Sequence, residues 1–383
     1  MYMKKISGGL RRRALCLLLV ACAVAAVAQE RRRPQTPCPP YPYSTEEVSF
    51  LNAADSVLLA GTLTFPEGYT PRRAAATPVV VMVTGSGQQN RDEEVFGHRP
   101  FAVIADYLAR HGVASLRYDD RGTGASGGNA RTVTPASNLR DALAAVEYLR
   151  RRGGFGKTGM LGHSEGGFIA VVAAGMPLPA EMGRASRPRR RKHPLSFVVS
   201  LSGPGVGGDS IIVYQNRRGL GEAGFSPAVV EGYCAVLKRL FELRRQSPQV
   251  KIDAALADSV AAAVAPDLPV LLRANLRYFC DGANPWLEAF VVSDPAEALA
   301  AVACPVMAVG GERDVQVIPD AGVRAIARYL PRHKKHLLKE YAGLNHLLQH
   351  CTTGAVTEYG EIEETISEEV LADMAAWILW VAK

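Results

Sequence analysis

Apolar and polar positions alternate along this chain in two rhythms. Residues 48–50 and 57–65 are short β-rich runs on either side of Asn52-Ala53-Ala54-Asp55, a pattern that predicts an opening hairpin. Residues 78–83 form an uninterrupted apolar strand ending in Thr84-Gly85-Ser86-Gly87. Residues 100–110 then place Phe101, Ile104, Ala105 and Leu108 on one helical face. The alternation repeats as strand 113–118, helix 137–151, strand 157–162, helix 164–174 and strand 195–201. Strands apolar on both sides, separated by helices, predict an α/β fold with a mostly parallel central sheet covered on both faces.

The rhythm breaks after Gly203-Pro204-Gly205. Residues 228–245, 252–265 and 271–279 carry helical patterns with no strong strand between them, so 206–300 reads as a helical cap insertion. Strand 305–309, a helix around 320–329 and strand 335–340 restore the alternation. A last amphipathic helix over 363–381 follows, with Val370, Met374 and Trp377 spaced by four and three residues. The core is therefore expected over 46–205 and 301–383, preceded by a proline- and arginine-rich linker at 29–45.

Residues 1–28 read as a signal peptide. A basic stretch with Lys4, Lys5 and Arg11 to Arg13 precedes an apolar run, and Ala26-Val27-Ala28 offers a small-x-small cleavage site. The run is short for a membrane span. A periplasmic or secreted protein is the expectation, with lipid anchoring at Cys22, after Leu19-Val20-Ala21, as the alternative. The leader holds five basic and no acidic residues, so its loss lowers the formal charge from +7 to +2.

At 48% hydrophobic and 21% charged residues, the composition excludes disorder as the main state. The basic cluster Arg184, Arg187, Arg189, Arg190, Arg191 and Lys192 lacks aromatic partners and is broken by prolines, which reads as a solvated loop rather than a nucleic-acid surface. After the leader, Cys38, Cys234, Cys280, Cys304 and Cys351 remain, without a C-x-x-C pair, so neither zinc nor thiol-disulfide chemistry has support. Cys234 and Cys280 are the candidate bridge, and buried free thiols the plainer alternative.

The chemistry concentrates at Gly162-His163-Ser164-Glu165-Gly166. This G-x-S-x-G sits between a predicted strand and a helix, the context in which a sharp turn exposes a nucleophilic serine. Acid and base should follow in that chain order, each on a loop after a strand. Asp314 lies after 306–309 and is the candidate acid, against Asp294, Glu312 and Asp320, the last read as a helix cap. His346 follows the last strand and is the candidate base, with His350 one helical turn later; His333 and His336 fall at the strand's other end. His163 reads as packed beside the nucleophile. The oxyanion hole is expected from the backbone amides of Glu165 and Ser86, with Gly87 as the alternative. Asp119 and Asp120 read as partners of Arg91 or Arg121 that hold the surrounding loops. No cofactor or metal is required by these groups.

Taken with Gly85-Ser86-Gly87-Gln88-Gln89-Asn90-Arg91-Asp92-Glu93, Leu116 to Ser126, Gly310 to Val317 and Gly343-Leu344-Asn345-His346, the elbow gives the chain a family likeness. Over roughly residues 48–383 it resembles exported bacterial serine esterases of the α/β-hydrolase superfamily, related to S9/S33 peptidase-like hydrolases. The resemblance implies the α/β-hydrolase fold, the same three residues Ser164, Asp314 and His346, an oxyanion amide near Ser86, and hydrolysis of small acyl esters. Aminopeptidase or acyl-peptidase activity with the same groups is the alternative. The segment 184–192 and the insertion depart from the pattern, which leaves the substrate open.

Overall fold

The computed structural model describes residues 33–176, 193, 195–280 and 284–383. The leader, Cys22 and the basic cluster therefore lie outside the described residues. Two compact units are present: a helical one at Ile212–Asn284 and a sheet-bearing one comprising Arg32–Ile211 and Pro285–Lys383.

The sheet-bearing unit opens with the hairpin β1 (Thr45–Asn52) and β2 (Val57–Thr64). Then come β3 (Val79–Val83), α1 (Pro100–Arg110), β4 (Ala114–Tyr118), α2 (Pro135–Arg152), β5 (Thr158–His163), α3 (Glu165–Gly175) and β6 (Phe197–Leu201). The eight strands are ordered β1-β2-β4-β3-β5-β6-β7-β8, where β7 is Val306–Gly311 and β8 is Leu337–Tyr341. Only the β1–β2 and β2–β4 pairings are antiparallel; the remainder are parallel.

Side-chain alternation along the strands feeds two cores. Val79, Val81 and Val83 join Ala142, Val146, Phe168 and Ile169 on one face. Val80 and Met82 join Phe101, Ile104 and Leu108 on the other, together with Met374, Trp377 and Ile378 of the terminal helix Glu368–Ala382. Both faces are thus dry, which is why these strands show no polar alternation. This is the α/β-hydrolase fold: a mostly parallel sheet flanked by helices, with an inserted helical segment.

The insertion begins with α4 (Gly208–Glu222) and continues with α5 (Pro227–Gln246), α6 (Ala254–Val264) and α7 (Val270–Phe279). Within the helical unit α5 packs on α6 and α6 on α7, and the buried Tyr233 donates its hydroxyl to Asn275 at 2.6 Å. The helices α8 (Pro285–Phe290) and α9 (Ala296–Ala301), assigned by sequence to the insertion, belong instead to the sheet-bearing unit. The reason is contact: Trp286 and Phe290 stack at 4.8 Å, Phe290 meets Phe168 of α3 edge-on, and α9 packs along α3.

Two further differences have local causes. Asp320 does not start a helix; α10 spans Val323–Tyr329 with Gly322 at its N-cap, and Asp320 pairs with Arg324. The terminal helix, α11, starts at Glu368 rather than 363, because Thr365 and Ile366 give their amides to the Gln35 side chain. The stretch expected as a linker is anchored there too. Arg33 donates to the carbonyls of Phe96, Gly360 and Ile362. Cys234 and Cys280 are both buried and no disulfide joins them, so the candidate bridge is not formed. Among the described residues no helix is long and apolar enough to cross a membrane.

Candidate active site

Ser164 occupies the turn between β5 and α3 with φ 52° and ψ −118°, a conformation side chains other than glycine rarely adopt. The flanking glycines are what permit it. A Cβ on Gly162 would run into the main chain of Gly166, and one on Gly166 would run into the carbonyl of Val83. The turn is held from outside by the Ser164 amide donating to the carbonyl of Leu201 at 2.9 Å. Ser164 is partly exposed, whereas the residues around it are buried.

Asp314 and His346 come together across the loops that follow β7 and β8. His346 Nδ1 lies 2.7 Å from Asp314 Oδ2, and both side chains are almost fully buried. The other carboxylate oxygen, Oδ1, accepts the amides of Gln316 and Val317, each at 2.8 Å. Both oxygens of Asp314 are thus held, which fixes the plane of the carboxylate and through it the imidazole. Since a carboxylate only accepts, Nδ1 carries the proton and Nε2 is left as the basic nitrogen.

The loop bearing His346 is built around Asn345, which sequence reasoning passed over. Its Oδ1 accepts the amides of Leu347 and Gln349 and its Nδ2 donates to Gln349 Oε1, all within a fully buried side chain. Gln349 continues the network to the carbonyl of Glu364. Arg313 joins the acid loop to the histidine loop through the carbonyls of Cys351 and Thr352.

The other sequence candidates are placed elsewhere. His350 is exposed and pairs with Glu364 at 2.9 Å. His336 accepts the amide of Val306 at the start of β7, the opposite end of the sheet from Asp314. Glu312 accepts the amide of Gly343, and Asp294 accepts that of Ala296.

In the loop expected to supply oxyanion amides, an ideal Cβ on Gly85 would sit 3.4 Å from Ser164 Cβ, so the loop after β3 passes directly beside Ser164. The Gly85 amide itself is occupied by Glu93 Oε1 at 2.7 Å. The amides of Ser86 and Gly87 have no acceptor among the described residues. As the first residue of α3, Glu165 has an amide without an intrahelical acceptor. Its carboxyl is buried and receives Trp286 Nε1 at 2.8 Å; burial pushes its pKa up, against hydrogen bonds from Ser86, Trp286 and Asn138 that lower it.

Asp119 and Asp120 divide the structural work expected of them. Asp119 pairs with Arg91 at 2.8 Å, while Asp120 takes no arginine and instead accepts from Thr84 Oγ1 and the Gln89 amide. Arg121 turns away to Asp55 and Asp141. Among the described residues no cluster of His, Cys, Asp and Glu is arranged to hold a metal ion.

Comparison with known proteins gives matches to parts of the chain and to its fold. Residues 98–182 match the family model described as serine aminopeptidase, S33. A stretch of 117 residues, 30% of this chain, is 34% identical to Esterase EstD of Thermotoga maritima; it spans 27% of that relative's length. Among solved structures, the Pyrococcus furiosus esterase PF2001 aligns over 89% of this chain and 92% of its own, with 16% identity and a TM-score of 0.50. The α/β hydrolase GrgF of Penicillium aligns over 88% and 98%, also with 16% identity and a TM-score of 0.50. These two share the fold. The chain thus has the α/β-hydrolase fold, and within it residues 98–182 are similar to serine hydrolases of the S33 kind.

Proposed function

We propose that the protein hydrolyses carboxylic esters, with short acyl chains, through an acyl-enzyme formed on Ser164. The observation that carries this reading is the buried His346–Asp314 hydrogen bond of 2.7 Å, which leaves Nε2 as the only basic ring nitrogen. In the first half-reaction Ser164 Oγ bonds to the ester carbonyl carbon while its proton passes to His346 Nε2. Asp314 stabilises the imidazolium without taking the proton. The carbonyl oxygen gains negative charge and is met by the amides of Glu165 and Ser86, or Gly87 in place of Ser86. When the C–O bond breaks, the alcohol leaves with the proton from Nε2. Water then attacks the acyl-enzyme by the same route, releasing the acid and restoring Ser164.

The match to the serine aminopeptidase model supports a second reading, cleavage of small peptides with the same groups. An amide differs in its leaving group, an amine that must be protonated before it departs. The similarity of a 117-residue stretch to an esterase favours esters. Export of the protein, or its anchoring at Cys22, rests on the leader pattern of residues 1–28 alone.

The test is kinetic. Wild type and Ser164→Ala are assayed on p-nitrophenyl esters of graded chain length and on matched aminoacyl- and peptidyl-anilides. Fast turnover of short esters, reduced by several orders of magnitude in Ser164→Ala, with anilides untouched, is the expected result. Ser164-dependent anilide cleavage would move the assignment to a peptidase.

A further inference from the structure

His163 precedes the nucleophile and is buried, yet neither of its ring nitrogens is used for packing alone. Nε2 lies 3.0 Å from the main-chain carbonyl oxygen of His346, and the two rings are 4.9 Å apart. A carbonyl can only accept, so Nε2 carries a proton. Nδ1 lies 3.0 Å from Glu93 Oε1, and that same oxygen accepts the amide of Gly85 at 2.7 Å. Glu93 is itself buried and held with φ 53°, its other oxygen buried and unpartnered, and its amide tied to the carbonyl of Asn90. A carboxyl buried in a left-handed backbone is a costly arrangement, and the bridge it makes is where that cost is offset.

The contacts form one continuous line: Gly85 N–H to Glu93 Oε1, Glu93 to His163 Nδ1, His163 Nε2–H to the carbonyl of His346. One end is the loop beside Ser164 whose next amides are free to meet an oxyanion. The other is the main chain of the residue with the basic nitrogen. Neither Glu93 nor His163 takes the base's role: both ring nitrogens and the bridging oxygen are committed, and the other oxygen of Glu93 is buried away from solvent.

We infer that Glu93 and His163 are positioning residues that share a buried proton and set the spacing between the oxyanion loop and His346. The inference rests on the acyl-transfer reading above. The shared proton follows from geometry, since two acceptors, Glu93 and the His346 carbonyl, face the two ring nitrogens. Burial alone would lower the pKa of His163, but the charge and hydrogen bond of Glu93 outweigh it, with the His346 carbonyl and Asp314 acting in the same direction. The ring therefore keeps both protons to higher pH than an ordinary histidine. Without the pair, the two loops would still fold on their own anchors, Asn345 and Asp120, but their separation would no longer be fixed. A misplacement on the order of 1 Å costs about 10²-fold in rate, and it falls on the chemical step rather than on binding.

The experiment compares wild type, Glu93→Gln, His163→Gln and Ser164→Ala on p-nitrophenyl butyrate, with Tm measured for each. It is joined by ¹⁵N-histidine spectra of the wild-type protein, which need no variant to fold. Glu93→Gln and His163→Gln are expected to lower kcat about 10–100-fold with KM held within about twofold. Both ring nitrogens of His163 are expected to be protonated near neutral pH. Variants that melt lower but keep the wild-type kcat would make the pair merely structural and overturn the inference. So would a His163 ring with a single proton. Full activity in Ser164→Ala would instead overturn the acyl-transfer reading itself, and is distinguishable because the spectra report on the pair independently of turnover.

Discussion

At the scale of single residues, Asp120 shows how burial sets a protonation state close to the candidate site. Burial pushes its pKa up to about 8; hydrogen bonds from the Gln89 amide and Thr84 work against the rise, and the charges of Glu165 and Glu93 add to it. Thr84 Oγ1 donates to one of the Asp120 oxygens and the Gln89 amide to the other. A group whose folded pKa lies above its unfolded value stabilises fully below the unfolded pKa, and that stabilisation is lost as pH rises through the folded one. Wild-type stability should therefore carry a loss from this group that grows from about pH 4 to pH 8. Asp120→Asn should be free of it, so the Tm of the variant relative to wild type rises with pH; a difference that stays flat or falls would contradict the assignment. Nothing in the local sequence announces this behaviour. Asp119 and Asp120 are adjacent and look alike, and only the fold gives one an arginine and the other a threonine.

The elements were legible where periodicity is local and strong. β3, α1, β5, α3 and β7 all lie where the pattern puts them, since a strand buried on both faces reads as a continuous apolar run. The tight strand–turn–helix at Ser164 was legible for a steric reason: Gly162 and Gly166 each face main chain where a Cβ would sit. Gly166→Ala should accordingly cost about 3 kcal/mol in urea unfolding, the upper part of the usual overpacking range, because the obstruction is backbone and does not yield as a side chain would. An alanine tolerated at less than about 1 kcal/mol would mean that the turn is looser than described. What the pattern missed is the pairing between distant segments. Glu93 and His163 stand seventy positions apart, and Asn345 works through its own loop's amides, so neither leaves a periodic trace. The same blindness misplaced α8 and α9, whose helical pattern is plain but whose packing partner α3 is not.

For the molecule as a whole, the parallel sheet is what brings the candidate site residues to one end. Ser164, Asp314 and His346 follow β5, β7 and β8, parallel strands that lie within four neighbouring positions of one sheet, so their loops leave from the same edge. The N-terminal stretch adds a restraint at long range. Arg33 and Gln35 bind the carbonyls and amides of residues 360–366, the return path from the histidine loop to α11. Replacing both with alanine should remove a few net hydrogen bonds, lowering Tm by about 2–6 °C and speeding amide exchange at Thr365 and Ile366. Unchanged exchange there would show that the stretch is not a restraint.

The central claim is that Ser164 is a nucleophile activated by His346 and Asp314, and the most direct measurement is covalent. Wild type, Ser164→Ala and His346→Ala are incubated with a fluorophosphonate and examined by intact mass and peptide mapping. A single adduct on Ser164, absent from Ser164→Ala and greatly slowed in His346→Ala, is the predicted result. A wild-type protein that takes up no adduct, or takes it up at another residue, would contradict the account.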